Sequence, residues 1–305
     1  MRKLFLSGKI KLLRHVVKKE RSVMKEKIAV LTDSGSDIKA EAYENLFVLP
    51  LLIHINEKTY IDGVDIDLGQ VLYLVDDYKV TTSLPSPESI IETLNKIKSL
   101  GYTHVIANTI SSGLSGTYNI LRLLIEGFDE LKIALLDTKN ISKGSGFTTL
   151  TALELIEEGK SFEEIVPLLE QGLENNKVFF TLMSLEHLRR GGRIGLITKA
   201  LADLINLKPI ISCNEEGVYY TVRKARGYKN AIRRTLELAQ EFVGESKVYD
   251  LTILVMKMDE MVDVVKLFVS EMFPSARSVN VTLISPALAI HIAPEAFGLA
   301  IRKID

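Results

Sequence analysis

The residues best suited to chemistry in this chain are small hydroxyls gathered in two loops. Ser111, Ser112, Gly113, Ser115, Gly116 and Thr117 form the first, between an apolar run at 105–110 and an amphipathic run at 118–125. A strand, a small-residue loop and a helix start turn backbone N–H groups and the positive helix end toward a bound anion. The glycines let the backbone approach closely and the hydroxyls add donors. An ordinary Ser- or Thr-capped turn would use the same residues. The second loop, 81–87, reads Thr-Thr-Ser-Leu-Pro-Ser-Pro. Ser86 suits the N-cap of a helix over 87–98, with Pro87 at its first position and Glu88 and Glu92 in its first turns. Capping explains Ser86 and Pro87. It leaves Thr81, Thr82 and Ser83 unexplained.

Other chemistries find less support. Gly144-Ser145-Gly146 lacks the third glycine of a dinucleotide site and reads better as the start of a closely packed helix. No Walker-type loop occurs, and Gly113-Leu114-Ser115-Gly116 is one residue short of a nucleophile elbow. Ser115 would become a nucleophile only with a histidine beside it. The five histidines are His15, His54, His104, His187 and His291. No two are close in sequence, so no metal site is expected. His54, in a strand, and His104, at a strand start, read as structural. Asp33, Asp37, Asp62, Asp65 and Asp67 could together form an acidic site. Asp33 follows a strand, as in many phosphate and metal enzymes, but capping the Asp33-Ser34-Gly35-Ser36 turn is the favoured reading.

These loops need a scaffold, and the chain is long enough to build one. Its 305 residues, 47% apolar and 25% charged, describe a globular protein of one large or two ordinary domains. One cysteine, Cys213, permits neither an internal disulfide nor a cysteine metal cluster, which suits a reducing cytosol. It reads as a small buried residue. No apolar run is long enough to span a bilayer. Residues 1–27 carry ten Lys/Arg against two Glu, leaving 28 basic and 37 acidic residues over 28–305. An acidic body gives no sign of nucleic-acid binding. Lys9 and Lys11 interrupt any signal-peptide core. Leu6, Ile10, Leu13 and Val17 fall at helical spacing, so a basic amphipathic helix would give peripheral contact with anionic lipid. The preferred reading starts translation at Met24, and residues 1–26 are set aside as a basic N-terminal extension.

Along the body, strands and helices alternate. Strands are expected at 27–32, 47–55 bending into a hairpin with 58–61, 103–109 and 131–136. Helices are expected at 68–76, 87–98, 115–126, 144–158 and 162–174. This order predicts a mostly parallel sheet with helices on both faces. The second half differs. Strands 208–213 and 218–222 flank Asn-Glu-Glu-Gly as a hairpin. Helix 228–243, strand 247–256, helix 259–272 and strand 279–284 follow, giving a mixed sheet. The expectation is two α/β domains, 27–174 and 175–305.

Six segments in order carry a family resemblance. They are 29–37 (Ala-Val-Leu-Thr-Asp-Ser-Gly-Ser-Asp), 82–86 (Thr-Ser-Leu-Pro-Ser), 111–118 (Ser-Ser-Gly-Leu-Ser-Gly-Thr-Tyr), 188–194 (Leu-Arg-Arg-Gly-Gly-Arg-Ile), 207–210 (Leu-Lys-Pro-Ile) and the stretch from His291. Each is weak alone; together they resemble the DegV family of bacterial fatty-acid-binding proteins. The resemblance implies the EDD fold, a ligand between two α/β domains, and a cytoplasmic binding protein without cofactor or catalytic residues. It implies that Thr82, Ser83, Ser115 and Gly116 bind a fatty-acid carboxylate, with His291 completing the hydrogen-bond network. It further implies presentation of the acid to a dihydroxyacetone-kinase-like fatty acid kinase, giving acyl-phosphate for phospholipid metabolism. Arg193 would face that kinase or the arriving phosphoryl group. Arg189, Arg190 and Gly191 are covered by helix-end chemistry.

Neutral hydroxyls suit such a ligand. Burying about 15 methylenes at ~0.8 kcal/mol each supplies roughly 12 kcal/mol before ordering costs, so the chain provides affinity. The head group need only avoid being buried unpaired. A tight arginine fork would hold the carboxylate too well as a ground state. Two departures from the family pattern stand out. Leu84 replaces a frequent polar residue, and the usual His-x-Gly-Pro-Gly reads His291-Ile292-Ala293-Pro294-Glu295. Either strain at Ala293 and Glu295 or a reshaped turn, and a His291 pKa raised by the new carboxylate, are the expected consequences. A separate reading makes the chain an enzyme acting on a phosphorylated small molecule through Asp33 and the Ser/Thr loops.

Overall fold

A computed structural model describes residues 26–197, 207–293 and 295–305. The basic segment up to residue 25, including Met24, and Pro294 lie outside the described residues. The first half runs β1 (Ile28–Asp33), β2 (Leu46–Leu49), β3 (Leu52–Ile55), β4 (Lys58–Ile61), α1 (Leu68–Leu74), β5 (Val80–Ser83), α2 (Pro87–Ser99), β6 (His104–Thr109), α3 (Thr117–Leu124), β7 (Lys132–Asp137), α4 (Lys143–Glu157) and α5 (Phe162–Gly172). The second half runs β8 (Asn176–Leu182), α6 (Glu186–Arg190), β9 (Leu207–Cys213), β10 (Tyr219–Arg226), α7 (Tyr228–Val243), β11 (Tyr249–Val255), α8 (Glu260–Met272), β12 (Ala276–Leu283), α9 (Pro286–Ile292) and β13 (Ala296–Lys303). Among these no helix is long and apolar enough to cross a membrane.

The parallel sheet expected from the alternating pattern is present, in the order β2-β1-β6-β7. Every residue of β1 is buried, as a strand covered on both faces requires. Ala29 and Leu31 pack with Ile90, Leu94 and Leu121 of α2 and α3. Ile28 and Val30 point the other way, against Ala152, Leu153, Ile165 and Leu169 of α4 and α5. Gly146, near the start of α4, is one of the glycines read as a packing residue. A Cβ there would stand 2.4 Å from the Ser36 carbonyl oxygen, so only glycine lets α4 sit on the loop after β1.

The second half forms the mixed sheet β10-β9-β8-β13-β11-β12, antiparallel except for the β11/β12 pair. The β9–β10 hairpin closes as expected, Cys213 opposite Tyr219. A partly buried ionic network ties this sheet to α4, with Arg302 and Asp250 at its buried centre and Glu154 and Arg277 at its exposed edge. Arg302, 4% exposed, donates to both Asp250 and Glu154, and Asp250 also receives Arg277 and Ser278. Each charge is paired and hydrogen-bonded, the condition under which a buried ion pair is tolerated.

One expectation fails in an instructive way. The apolar run 47–55 is two strands. β2 joins the parallel sheet, whereas β3 pairs with β4 and β5 in a separate antiparallel sheet. Pro50 stands between them; it has no N–H to continue a ladder. β5, α9 and β13 were not expected, although Ser285 and Pro286 open α9 as Ser86 and Pro87 open α2; β5 is held by its register with β3, Ile53 opposite Thr82.

Candidate functional site

Four separate elements converge on one cavity of ≈ 220 Å³. β5 brings Thr82 and Ser83. The β6–α3 loop brings Ser115 and Gly116, the turn after α6 brings Arg193, and α9 brings His291. All six residues singled out from the sequence line this cavity. Its remaining wall is apolar, including Leu51, Ile110, Ile141, Phe180 and Leu288. Leu84 lies in the wall too, its Cδ2 against Gly116.

The hydroxyls are held in order by neighbours. Thr82 Oγ1 and His291 Nε2 are 2.8 Å apart across 209 positions of sequence. His291 is buried, and among the described residues its Nδ1 has no partner. Leaving an N–H buried and unpaired is costly. The proton therefore sits on Nε2 and is donated to Thr82, which leaves the Thr82 O–H free to donate elsewhere. Burial, then Arg193 and His187, push the His291 pKa down to about 4, so the ring is neutral near pH 7. The expected upward shift from Glu295 does not occur, because that exposed side chain acts on Tyr228 and Lys257 instead. Nor is Ala293 strained, with φ at −58°.

Ser83 Oγ lies 2.8 Å from His54 Nε2, and His54 Nδ1 lies 3.0 Å from Thr59 Oγ1. A structural role was the favoured reading of His54, and the role it has is to orient a hydroxyl of the cavity wall. The missed signal was its register: in the β3–β5 ladder His54 stands opposite Thr81, with Leu52 opposite Ser83. Ser115 Oγ bonds Thr117 Oγ1 at 2.9 Å and accepts from the Thr117 N–H at 3.3 Å. Arg193 donates from Nε to the Leu114 carbonyl at 3.3 Å and from Nη1 to the Gly191 carbonyl at 2.6 Å. Gly191 is the C-cap of α6, as read, with φ −78°, its N–H returning to the helix carbonyls, while Gly192 takes the positive value, +70°. Gly191 is small for a further reason: a Cβ there would stand 2.2 Å from His291 Nδ1.

The acidic residues do not assemble a site. Asp33 is fully buried and its oxygens accept the Gly35 N–H at 3.0 Å and the Ile110 N–H at 2.9 Å, the turn-capping role favoured above. Asp37 and Asp62 reach across to α9. They accept the Ser285 N–H at 2.9 Å and the Ala287 N–H at 3.0 Å, and take Ser142 Oγ and Ser34 Oγ on their other oxygens. They thus fix the helix that carries His291. Among the described residues no group of three His, Cys, Asp or Glu could hold a metal ion. Cys213 is buried, and burial pushes its thiol up to about 12, far from a reactive thiolate.

Burial raises Asp33 to about 7 and Asp37 to about 6. In the unfolded chain both ionise near pH 4. Between those values the native state binds more protons than the unfolded state, so their contribution to stability falls as pH rises. Asp37→Asn keeps an acceptor for Ser285 and faces Ser142, whose hydroxyl can reverse. Its stability relative to wild type should increase from pH 4.5 to 7.5, by on the order of 2–3 kcal/mol. Urea unfolding at both pH values checks this; a constant difference would show that Asp37 is ionised throughout.

The same fold occurs in known proteins. The family model described as "Uncharacterised protein, DegV family" matches residues 27–303. This chain belongs to the DegV family. A DegV domain-containing protein of Clostridium acetobutylicum is 39% identical over 280 residues, covering 91% of this chain and 99% of the relative. Among solved DegV structures, a fatty-acid-binding protein from Thermus thermophilus is 28% identical with a TM-score of 0.85, over 91% of this chain and 100% of that one. DegV of Bacillus subtilis, also a fatty acid binding protein, is 26% identical with a TM-score of 0.83, over 92% and 100%. The mixed α/β architecture is that of these DegV proteins.

Proposed function

We propose that this protein binds a long-chain fatty acid and presents its carboxylate to a separate kinase for acyl-phosphate formation. The acid lies between the units 27–174 and 175–305, its carboxylate among Thr82, Ser83, Ser115, Gly116 and His291. One observation carries the reading: a single cavity joins oriented neutral hydroxyls to an apolar wall. Such a wall stabilises methylenes, and the hydroxyls keep the head group paired without an ion-pair clamp. At ≈ 220 Å³ the cavity is below the usual ligand-site range of roughly 300–1,000 Å³, so a long chain must part the side chains around it. The fatty-acid-binding DegV relatives from Thermus thermophilus and Bacillus subtilis support the same class of ligand.

Arg193 spends Nε and Nη1 on backbone carbonyls. Among the described residues its Nη2 has no partner, which leaves it for the kinase side or an incoming phosphoryl group. A cytoplasmic location and a peripheral membrane contact through residues 1–26 accompany this reading. The alternative, phosphate-ester chemistry at Asp33, has no support, since Asp33 does not line the cavity and both its oxygens are taken by backbone N–H groups.

Mass spectrometry of ligand extracted from purified protein tests the proposal. A C14–C20 acid near one equivalent is expected, with acyl-phosphate formed only when a kinase and ATP are added. A phosphate-filled cavity with turnover by the protein alone would refute it.

A further inference from the structure

α8 carries two apolar stripes where a helix covering a sheet needs one. Val262, Val265, Val269 and Met272 pack toward the sheet beneath. Val264, Leu267 and Phe268, three and four residues apart, are 61%, 63% and 45% exposed. An ordinary surface helix puts polar residues there. α7 beside it does so, with Lys229, Arg233, Gln240 and Glu241 turned to solvent. Between the two helices runs a groove of ≈ 360 Å³, with Ile232 and Leu236 of α7 on one wall and Val264, Leu267 and Phe268 of α8 on the other. Contiguous exposed apolar surface of this kind marks an interaction site. The groove lies on the face of the sheet opposite the head-group cavity: Phe179 and Phe297 pack on the α7 and α8 side, whereas Phe180 lines the cavity.

The charges around the groove select its occupant. α7 leads into β11 and α8 into β12, and those strands are parallel, so the two helices run in the same direction. At their C-terminal ends Gln240 Nε2 donates to the Met272 carbonyl at 3.1 Å. Glu271 therefore stands at the C-terminal end of the groove. Lys229 and Arg233 stand toward the other end, roughly 16 and 10 Å back from Gln240 at 1.5 Å per residue. Among the described residues neither Lys229 nor Glu271 has an ion-pair partner. A strongly basic or strongly acidic partner meets a like charge at one end. A second copy of this chain does not. Related by a two-fold axis through the middle of the groove, each copy sets its Lys229 against Glu271 of the other. We propose that this face joins two copies of the chain in a symmetric dimer, with the exposed apolar stripe of each α8 covering the groove of its partner. The head-group cavity, on the far face of the sheet, stays free.

Analytical ultracentrifugation of the full chain at micromolar concentration tests this. Wild type should sediment as a dimer of the 34.1 kDa chain. Leu267→Glu, at an exposed position, should be monomeric with an unchanged melting temperature. Lys229→Glu and Glu271→Lys should each weaken the dimer about tenfold, because either symmetric dimer then holds two like-charge contacts. Mixed in equal amounts, the two variants should recover wild-type association, because the mixed dimer regains two opposite-charge contacts. A monomeric wild type overturns the inference, and flotation of that monomer with phosphatidylglycerol vesicles would give the face to a membrane instead. A dimer that survives Leu267→Glu uses another surface and overturns it as well. Failure of the mixture to recover overturns the two-fold pairing of the charges.

Discussion

Replacing Thr82 and Ser115 together by alanine should remove nearly all fatty-acid retention while the fold persists. Both side chains line the cavity, and each contributes one hydroxyl there. A hydrogen bond to a charged group contributes about 1.5–3 kcal/mol, so the pair amounts to roughly 3–6 kcal/mol, or about 10²–10⁴-fold in Kd. The single variants should differ in a second respect. Thr82→Ala leaves the His291 Nε2–H without its 2.8 Å partner, a buried donor whose orphaning costs roughly 1–3 kcal/mol of stability. Ser115 has only the local partner Thr117, so Ser115→Ala should melt close to wild type. Affinity for palmitic acid and urea unfolding of the three variants separate these effects. Wild-type affinity in the double variant would move the head group elsewhere.

Gly191→Ala should be the most damaging single methyl group near the site. The backbone at Gly191 has φ −78°, so alanine meets no conformational strain there. The added Cβ would instead stand 2.2 Å from His291 Nδ1 and 2.6 Å from its Cε1. The ring cannot retreat cheaply, since it is buried on a helix whose first turn is held by Asp37 and Asp62. Overpacking of this kind costs about 1–3 kcal/mol. The expected result is lost stability of that size, together with loss of the His291–Thr82 bond. Nitrogen-15 spectra read the second effect directly. Wild type should show a neutral ring protonated on Nε2 that titrates near pH 4, whereas the variant should show an altered Nε2 shift and a pKa nearer the ordinary value. An unchanged His291 spectrum would mean that α6, not the ring, gives way.

The two histidines show where reading the chain stops. His291 was legible as a site residue only through the resemblance, and nothing in its local sequence announced that burial would hold it neutral. His54 was passed over because a histidine inside a strand has an adequate structural explanation. Its contact with Ser83 depends on β3 pairing with β5, two segments separated by a hairpin and a helix. The same holds for Gly191. A glycine after Arg189 and Arg190 is well explained as a helix end, and only the folded chain shows a ring from α9 pressed against it. Asp33 went the other way: the turn Asp33-Ser34-Gly35-Ser36 already spelled a cap, and the folded chain has one.

From the sequence by itself came the parallel sheet with two covered faces, the β9–β10 hairpin, the helix opened by Ser86 and Pro87, and the hydroxyl loops. These follow from periodicity, from capping and from glycine and proline, all of which act over a few residues. Tertiary structure alone decided that β2 and β3 part company at Pro50, that β5 is a strand, and which groups order each hydroxyl. It also decided that two carboxylates from the first half hold a helix in the second. Several of those outcomes rest on contacts between residues far apart in the chain, more than two hundred positions for Thr82 with His291 and for Asp62 with Ala287. Local propensity does not encode such contacts, because their free energy appears only once long loops have closed and the surrounding apolar surface is buried.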